Sequence, residues 1–257
     1  MQYIINADDF GLHKSCSRAI AEAFSLNLIT DTTMCANGDC FDYAIQLAKD
    51  GGFVDRIGIH FNITTGKPLT EEIKCCREFC DKDGLFYRDK NRYSILSSSQ
   101  KRILFQELTA QYKKITAQGI QITHADSHHH IHAAPAYFSV FSDVFKTCGI
   151  KKVRILRNVG IKNPVRLGII QTINHFYLKN HHITTDFFAH ASAYFNPKHL
   201  QAKGVAEIMV HPDYDPATMK LIDRLKYVHG IPCGKDLCSF VSFLNLTPDI
   251  LTSYSAL

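Results

Sequence analysis

The 257-residue chain contains no run of about eighteen apolar residues, no CxxC pair, and neither a GxGxxG nor a GxxxxGK[ST] element. A membrane-spanning helix, a paired-cysteine zinc knuckle and the common nucleotide-phosphate loops are thereby excluded. Excess charge is also scarce: 29 basic residues against 24 acidic ones leave +5, and the adjacent basic pairs, such as Lys113-Lys114 and Lys151-Lys152, are not interleaved with aromatics. That charge reads as solubility, so no nucleic acid is expected as a partner. The first residues lack a basic segment and reach Asp8-Asp9 at once, unlike a signal peptide. Nine cysteines, odd in number and irregular in spacing, fit a reduced cytoplasmic compartment better than a disulfide framework. Cys75, Cys76 and Cys80 are near neighbours, but not at knuckle spacing. No repeat or linker-like stretch divides the chain, so one domain over residues 1–257 is expected.

What is present in unusual density is histidine. Thr123 to His132 reads Thr-His-Ala-Asp-Ser-His-His-His-Ile-His, five imidazoles and a carboxylate after an apolar run. If the chain stays extended from Ile120, then Asp126, His128, His130 and His132 share one face and His129 takes the other. Neutral imidazoles beside a carboxylate suit Zn²⁺ or a similar divalent ion. A solvated turn is the competing reading, and an expression tag is disfavoured by the mid-chain position and the interrupting Ile and Asp.

Taken in order, the chain alternates strand and helix patterns. Tyr3–Ile5 leads to Asp8-Asp9; Ser15–Ser25 carries a helical stripe; Thr32–Ala36 is strand-like; Phe41–Lys49 is amphipathic; and Arg56–Thr64 is a strand bearing His60. Residues 64–97 have no sustained period and are expected to form an irregular insertion, a lid or rim. Ser98 or Ser99 caps a helix to Gln118, Ile120–Ala125 forms a strand, and Pro135 opens a helix to Cys148. A strand at Val153–Leu156, a helix from Pro164 to Lys179, a strand at Ile183–Phe188, a strand from Gly204 ending at His211, a helix over Ala217–His229 and an apolar Phe240–Leu246 complete the pattern. Parallel strands joined by right-handed crossovers put Asp8, Asp9, His60, Asp126, His128, His130, His132 and His211 at one end of a sheet. The fold class expected is α/β, a (β/α) barrel first and an open doubly wound sheet second. Two adjacent carboxylates do not easily face one metal, so one of Asp8 and Asp9 is expected to ligate and the other to act as a base.

Asn6-Ala-Asp-Asp-Phe-Gly, Gly58-Ile-His-Phe-Asn-Ile-Thr, Gly66-Lys-Pro-Leu-Thr, the Thr123–His132 segment and Val210-His-Pro together resemble the YdjC-like carbohydrate deacetylases. The resemblance implies a NodB-like distorted (β/α) barrel that removes N-acetyl groups from small N-acetylglucosamine oligosaccharides, with phosphorylated forms among the candidate substrates. It implies Asp9, His60 and His128 as ligands of one divalent ion, Asp8 as general base and His211 as general acid. Asp126, His130 and His132 then orient a ligand or contact the sugar, and His129 is structural. The ligand set favours Zn²⁺ while the family is described with Mg²⁺, so either ion is carried forward. A homodimer is a family-level expectation. Arg157 stands between a substrate contact and a structural ion pair. A phosphoesterase or amidohydrolase barrel with two metals, and a non-catalytic sugar binder, remain the competing functions.

Overall fold

The computed structural model describes residues 1–257 except 89–91, 192–202, 225–226, 229–230, 233–236 and 238–246. Six parallel strands form its centre: β1 (Gln2–Phe10), β2 (Asp31–Met34), β3 (Ile57–Phe61), β4 (Ala125–Ser127), β5 (Phe187–His190) and β6 (Val205–Val210). They pair in the order β4-β3-β2-β1-β6-β5. The two edge strands are drawn together by single bridges: Val153 pairs with Ala125, Lys152 with Ile183, and Asn158 donates to the Phe188 carbonyl. The sheet therefore curls into a distorted barrel in a single α/β domain. Central strands buried on both faces need continuous apolar or internally paired side chains, and β1 from Tyr3 to Phe10 is buried throughout.

Helices α1 (Lys14–Ser25), α2 (Phe41–Gly51), α4 (Ser98–Thr116), α5 (Phe138–Thr147) and α6 (Pro164–Ile173) accompany the strands, and a short α3 (Glu71–Lys74) lies before α4. The first two bury the expected stripes, including Ile20 and Ala23, and Phe41, Ala44, Ile45 and Ala48. The cap of α4 is Ser97, one residue before the expected serines. Its hydroxyl accepts from the Gln100 amide while the Gln100 side chain accepts from the Ser97 amide, a reciprocal pair that Ser98 could not form with its neighbours. Buried Glu107 on α4 accepts from the amides of Leu69 and Thr70 at 3.0 and 2.8 Å. This carboxylate anchors the irregular 64–97 stretch to the helix.

Several expected elements differ. Ile120–Thr123 is not a regular strand, although Thr123 and His124 already pair with β3 through Ile57 and Ile59. The helix after Pro135 begins at Phe138, because residues 135–137 form a turn. Val153–Leu156 makes one isolated bridge, from Val153 to Ala125, and the strand expected at Ile183–Phe188 is regular over Phe187–His190. The described residues of Ala217–His229 are not helical: β7 (Pro212–Tyr214) and β8 (Leu221–Asp223) form an antiparallel hairpin across the start of that range, with Asp215 accepting from the amides of Ala217 and Thr218. An Asp-initiated turn competes directly with a helix start. Phe240–Leu246 lies outside the described residues. Among the described residues no helix is long and apolar enough to cross a membrane.

Asp31 on β2 is fully buried, and its Oδ1 accepts from the Tyr254 amide at 3.0 Å. Burial pushes its carboxyl from 3.8 up to about 7, against the opposing pull of Thr30, the Tyr254 amide, Arg56 and Lys152. A folded pKa above the unfolded one gives stability that is complete below about pH 4 and is lost as pH rises through about 7. Asp31→Asn does not titrate, so its stability relative to the native chain should improve by roughly 2–4 kcal/mol between about pH 4 and pH 8. Urea unfolding at the two pH values measures this, and a difference independent of pH would contradict it.

Candidate active site and metal centre

The site begins with a local fault in β1. Consecutive side chains on a strand face opposite ways, yet Asp8 and Asp9 are both buried, at 2% and 1% exposure. The pairing of β1 with β2 slips between Ala7 and Phe10, and Asp9 takes the left-handed region at φ 71°. An aspartate tolerates that conformation better than most residues, and such bulges re-aim side chains near functional sites. Both carboxylates thus turn into the same pocket, with different partners.

Asp9 meets the two imidazoles. Its Oδ1 lies 2.9 Å from His128 Nδ1 and 3.3 Å from His60 Nε2, and those two nitrogens are 3.4 Å apart. Oδ1 is buried and makes no aligned hydrogen bond with either ring. For an ion about 2.0–2.2 Å from each donor, as in zinc sites, neighbouring donors stand roughly 2.9–3.4 Å apart. The spacing of the three atoms fits a single divalent ion, and Asp9, His60 and His128 form a group that could hold one. The opposite ring nitrogen of His60, Nδ1, lies 2.6 Å from Asp126 Oδ1, the carboxylate support usual behind a metal-bound histidine. Burial alone would lower the His60 pKa, but Asp126, Asp9 and Asp8 raise it to about 10, so the pocket calls for positive charge at this place. Arg224 contacts the outer oxygen of Asp9, Oδ2, at 2.7 Å.

Asp8 has a different partner, Arg154. This guanidinium is fully buried and grips Asp8 through two bonds of 2.7 and 2.8 Å, donates from Nε to Glu207 at 2.7 Å, and pairs with Asp126. Burial would raise the Asp8 carboxyl, but Arg154 outweighs it and holds the group well below the usual carboxylate range. Glu207 is affected in the opposite sense: burial leads and carries it up to about 7 despite Arg154 and Tyr254. Asp8, His60 and Asp126 also come within ligating distance of one another. Arg154 already bridges the two carboxylates of that group, which disfavours a second metal beside the first.

The histidine-rich segment departs from simple alternation. Strand β4 stops at Ser127, and His129 and His130 both take φ of 55°, folding residues 128–133 into tight turns. His128 enters the metal group. His130 turns to Phe188 and His190, and its buried Nδ1 has no partner in the described structure. His132 is sequestered by Ser127 Oγ at 2.6 Å and the Arg154 carbonyl at 3.0 Å, so it fixes the turn rather than facing substrate. His129 Nδ1 lies 2.9 Å from Thr64 Oγ1. Asp126 supports His60 rather than His128.

His211 follows β6, near enough to Asp8 and Asp9 for its charge to lower both carboxyls. Its Nδ1 is buried without a partner among the described residues, and its ring lies roughly parallel to that of His190, with centroids 6.2 Å apart. Burial, then His211 and Arg157, pull His190 down to about 3 and keep it neutral at neutral pH. A cavity of about 610 Å³ opens beside these rings, lined in part by His129, His130, His190, Arg157 and Arg166.

Sequence reading missed Arg154, Glu207, Arg224 and His190, and it singled out Arg157 where Arg154 carries the ion pairs. Replacing Arg154 with methionine should destabilise the fold by roughly 3–5 kcal/mol, because buried carboxylates lose their common counter-charge. Urea unfolding measures the change; a loss below about 1 kcal/mol would show that the charge cluster is not what holds the barrel interior together.

The YdjC-like protein family model matches residues 2–230. A carbohydrate deacetylase of Listeria monocytogenes is 30% identical over 231 residues, 86% of this chain and 85% of its own. The carbohydrate deacetylase of Brevibacillus brevis is 29% identical over 226 residues, 83% and 82% of the two chains. Among solved structures, a protein of Enterococcus faecalis named for cellobiose-phosphate cleavage superposes with a TM-score of 0.70 over 98% of this chain and 97% of its own, at 19% identity. The last likeness concerns the fold. With the family model spanning nearly all of the sequence, the chain belongs to the YdjC-like family.

Proposed function

We propose that the protein is a metal-dependent carbohydrate deacetylase that hydrolyses the acetamide of N-acetylglucosamine units in small oligosaccharides such as chitobiose and its phosphate. The observation that carries this reading is the convergence of Asp9, His60 and His128 on one point beside a second, differently held carboxylate. The names of the relatives agree with it. Asp9, His60 and His128 would hold a divalent ion, Zn²⁺ or Mg²⁺, which would supply Lewis-acid chemistry toward the acetamide and water.

The side chains around it divide the remaining work. Asp8, ionised and immobilised by Arg154, accepts the proton of the attacking water. His211, whose unpartnered Nδ1 is free to take a new contact, delivers a proton to the departing amine. Asp126 keeps the His60 ring aimed. The described residues between 64 and 97 form a rim, and the cavity along His130 and His190 is in the usual size range for a small ligand and receives the rest of the oligosaccharide. Catalysis in the reduced cytoplasm, in one domain spanning the chain, completes the reading.

Asp8→Asn should reduce acetate release from diacetylchitobiose by roughly 10²-fold or more while one metal per chain remains bound, whereas His128→Ala should lose the metal. Metal analysis of the purified variants and an acetate assay test both. Equal metal loss in the two variants would overturn the division of roles. A metal-loaded native protein that releases no acetate from any N-acetylated sugar would overturn the function.

A further inference from the structure

Residues 251–255 lie beyond the span matched by the family model, yet they reach the floor of the site. Leu251 bridges Tyr3, the Thr252 amide donates to the Tyr3 carbonyl at 2.9 Å, and Ser255 donates to the Asp55 carbonyl at 2.9 Å. The Tyr254 main chain is held at both ends, its amide by Asp31 and its carbonyl by Lys152. These ties drive the Tyr254 side chain into the barrel, where it is completely buried.

Two routes run from that side chain to Asp8. The hydroxyl donates to Glu207 Oε2 at 2.5 Å; Glu207 Oε1 accepts from Arg154 Nε at 2.7 Å; and Arg154 holds both oxygens of Asp8. The ring stacks on His124, with centroids 3.7 Å apart and planes at 9°. His124 Nε2 lies 3.1 Å from Asn6 Oδ1, and Asn6 Nδ2 donates to Asp8 Oδ1 at 2.9 Å. The arrangement requires Gly58 on β3, since a Cβ there would come within 2.5 Å of the His124 ring. Burial, reinforced by the Arg154 charge, keeps His124 uncharged, so its contact with Tyr254 is a neutral stack.

We propose that Tyr254 is a positioning residue for the reaction, a plug delivered by residues 251–255 that orients Asp8 through Glu207 and Arg154 and through His124 and Asn6. The inference rests on the reading of Asp8 as the general base. It gives the end of the described chain a part in turnover that packing alone would not require: a buried tyrosine used only as filler has no need of a hydroxyl aimed at the one carboxylate that braces Arg154 from behind.

The test uses the full chain, loaded with metal, and acetate release from diacetylchitobiose. Tyr254→Phe keeps the ring on His124 and removes the hydroxyl; Glu207→Gln keeps the shape and removes the charge. Each should lower kcat on the order of tenfold or more, the cost usual for supports behind an active group, with KM changed less than about twofold and metal content unchanged. The double variant should lose no more than the worse single one, because both substitutions break the same path. A Tyr254→Phe protein with native kcat would overturn the proposal, as would a fall in bound metal that accounts for the lost activity, or effects of the two substitutions that simply multiply. Should Tyr254→Phe fail to fold, Glu207→Gln carries the test alone, and native kcat in that variant overturns the proposal. A silent native enzyme would overturn the functional reading itself, an outcome distinct from an active native enzyme matched by its Tyr254→Phe variant.

Discussion

The guanidinium of Arg154 is the constraint on which the barrel interior depends. One buried cation faces Asp8, Asp126 and Glu207, each delivered by a different strand. Removing this cation would leave three carboxylates without their common counter-charge in a poor dielectric, where the penalty is several kcal/mol. The two aspartates are separated chemically: Arg154 holds both oxygens of Asp8, whereas Arg224 takes only Oδ2 of Asp9 and leaves Oδ1 facing two imidazoles. A pair of adjacent carboxylates thereby acquires two environments, the condition under which like groups take unlike roles.

Around that centre the fold acts as a delivery frame. Strand ends bring His60, Asp126 and His211 together from distant parts of the chain, and the bulge in β1 supplies both aspartates from adjacent positions. The tight turns after β4 present His128 to the metal group and withdraw His132 into the core. Glu107, far from the chemistry, fixes the start of the irregular 64–97 stretch at the edge of the site. Tyr254 closes the opposite side.

That Asp9, His60 and His128 come together was legible in the sequence because each lies at or just after the end of a strand with a recognisable apolar run, and parallel topology makes such ends converge. Arg154 was not. In Val153-Arg154-Ile155 a lone arginine between apolar residues reads as the solvent side of an alternating strand, but in a curled sheet covered by helices both sides are interior. Glu207 is concealed within β6 for the same reason. The left-handed turn at Asp9 has no glycine to announce it, which made joint inward placement of Asp8 and Asp9 look unfavourable. The expected extended run from His128 to His132 failed because His129 and His130 adopt left-handed backbone, and the helix expected from Ala217 failed over Ala217–Asp223, where an aspartate-led turn and a strand replace it.

The proposed function needs one ion and one carboxylate base, while Arg154 already pairs with Asp8 and Asp126. Titrating Zn²⁺ or Mg²⁺ into chelator-stripped protein while following acetate release from diacetylchitobiose measures this directly. The account predicts no release without metal and full activity at one equivalent per chain; release independent of metal, or activity that requires a second equivalent, would contradict it.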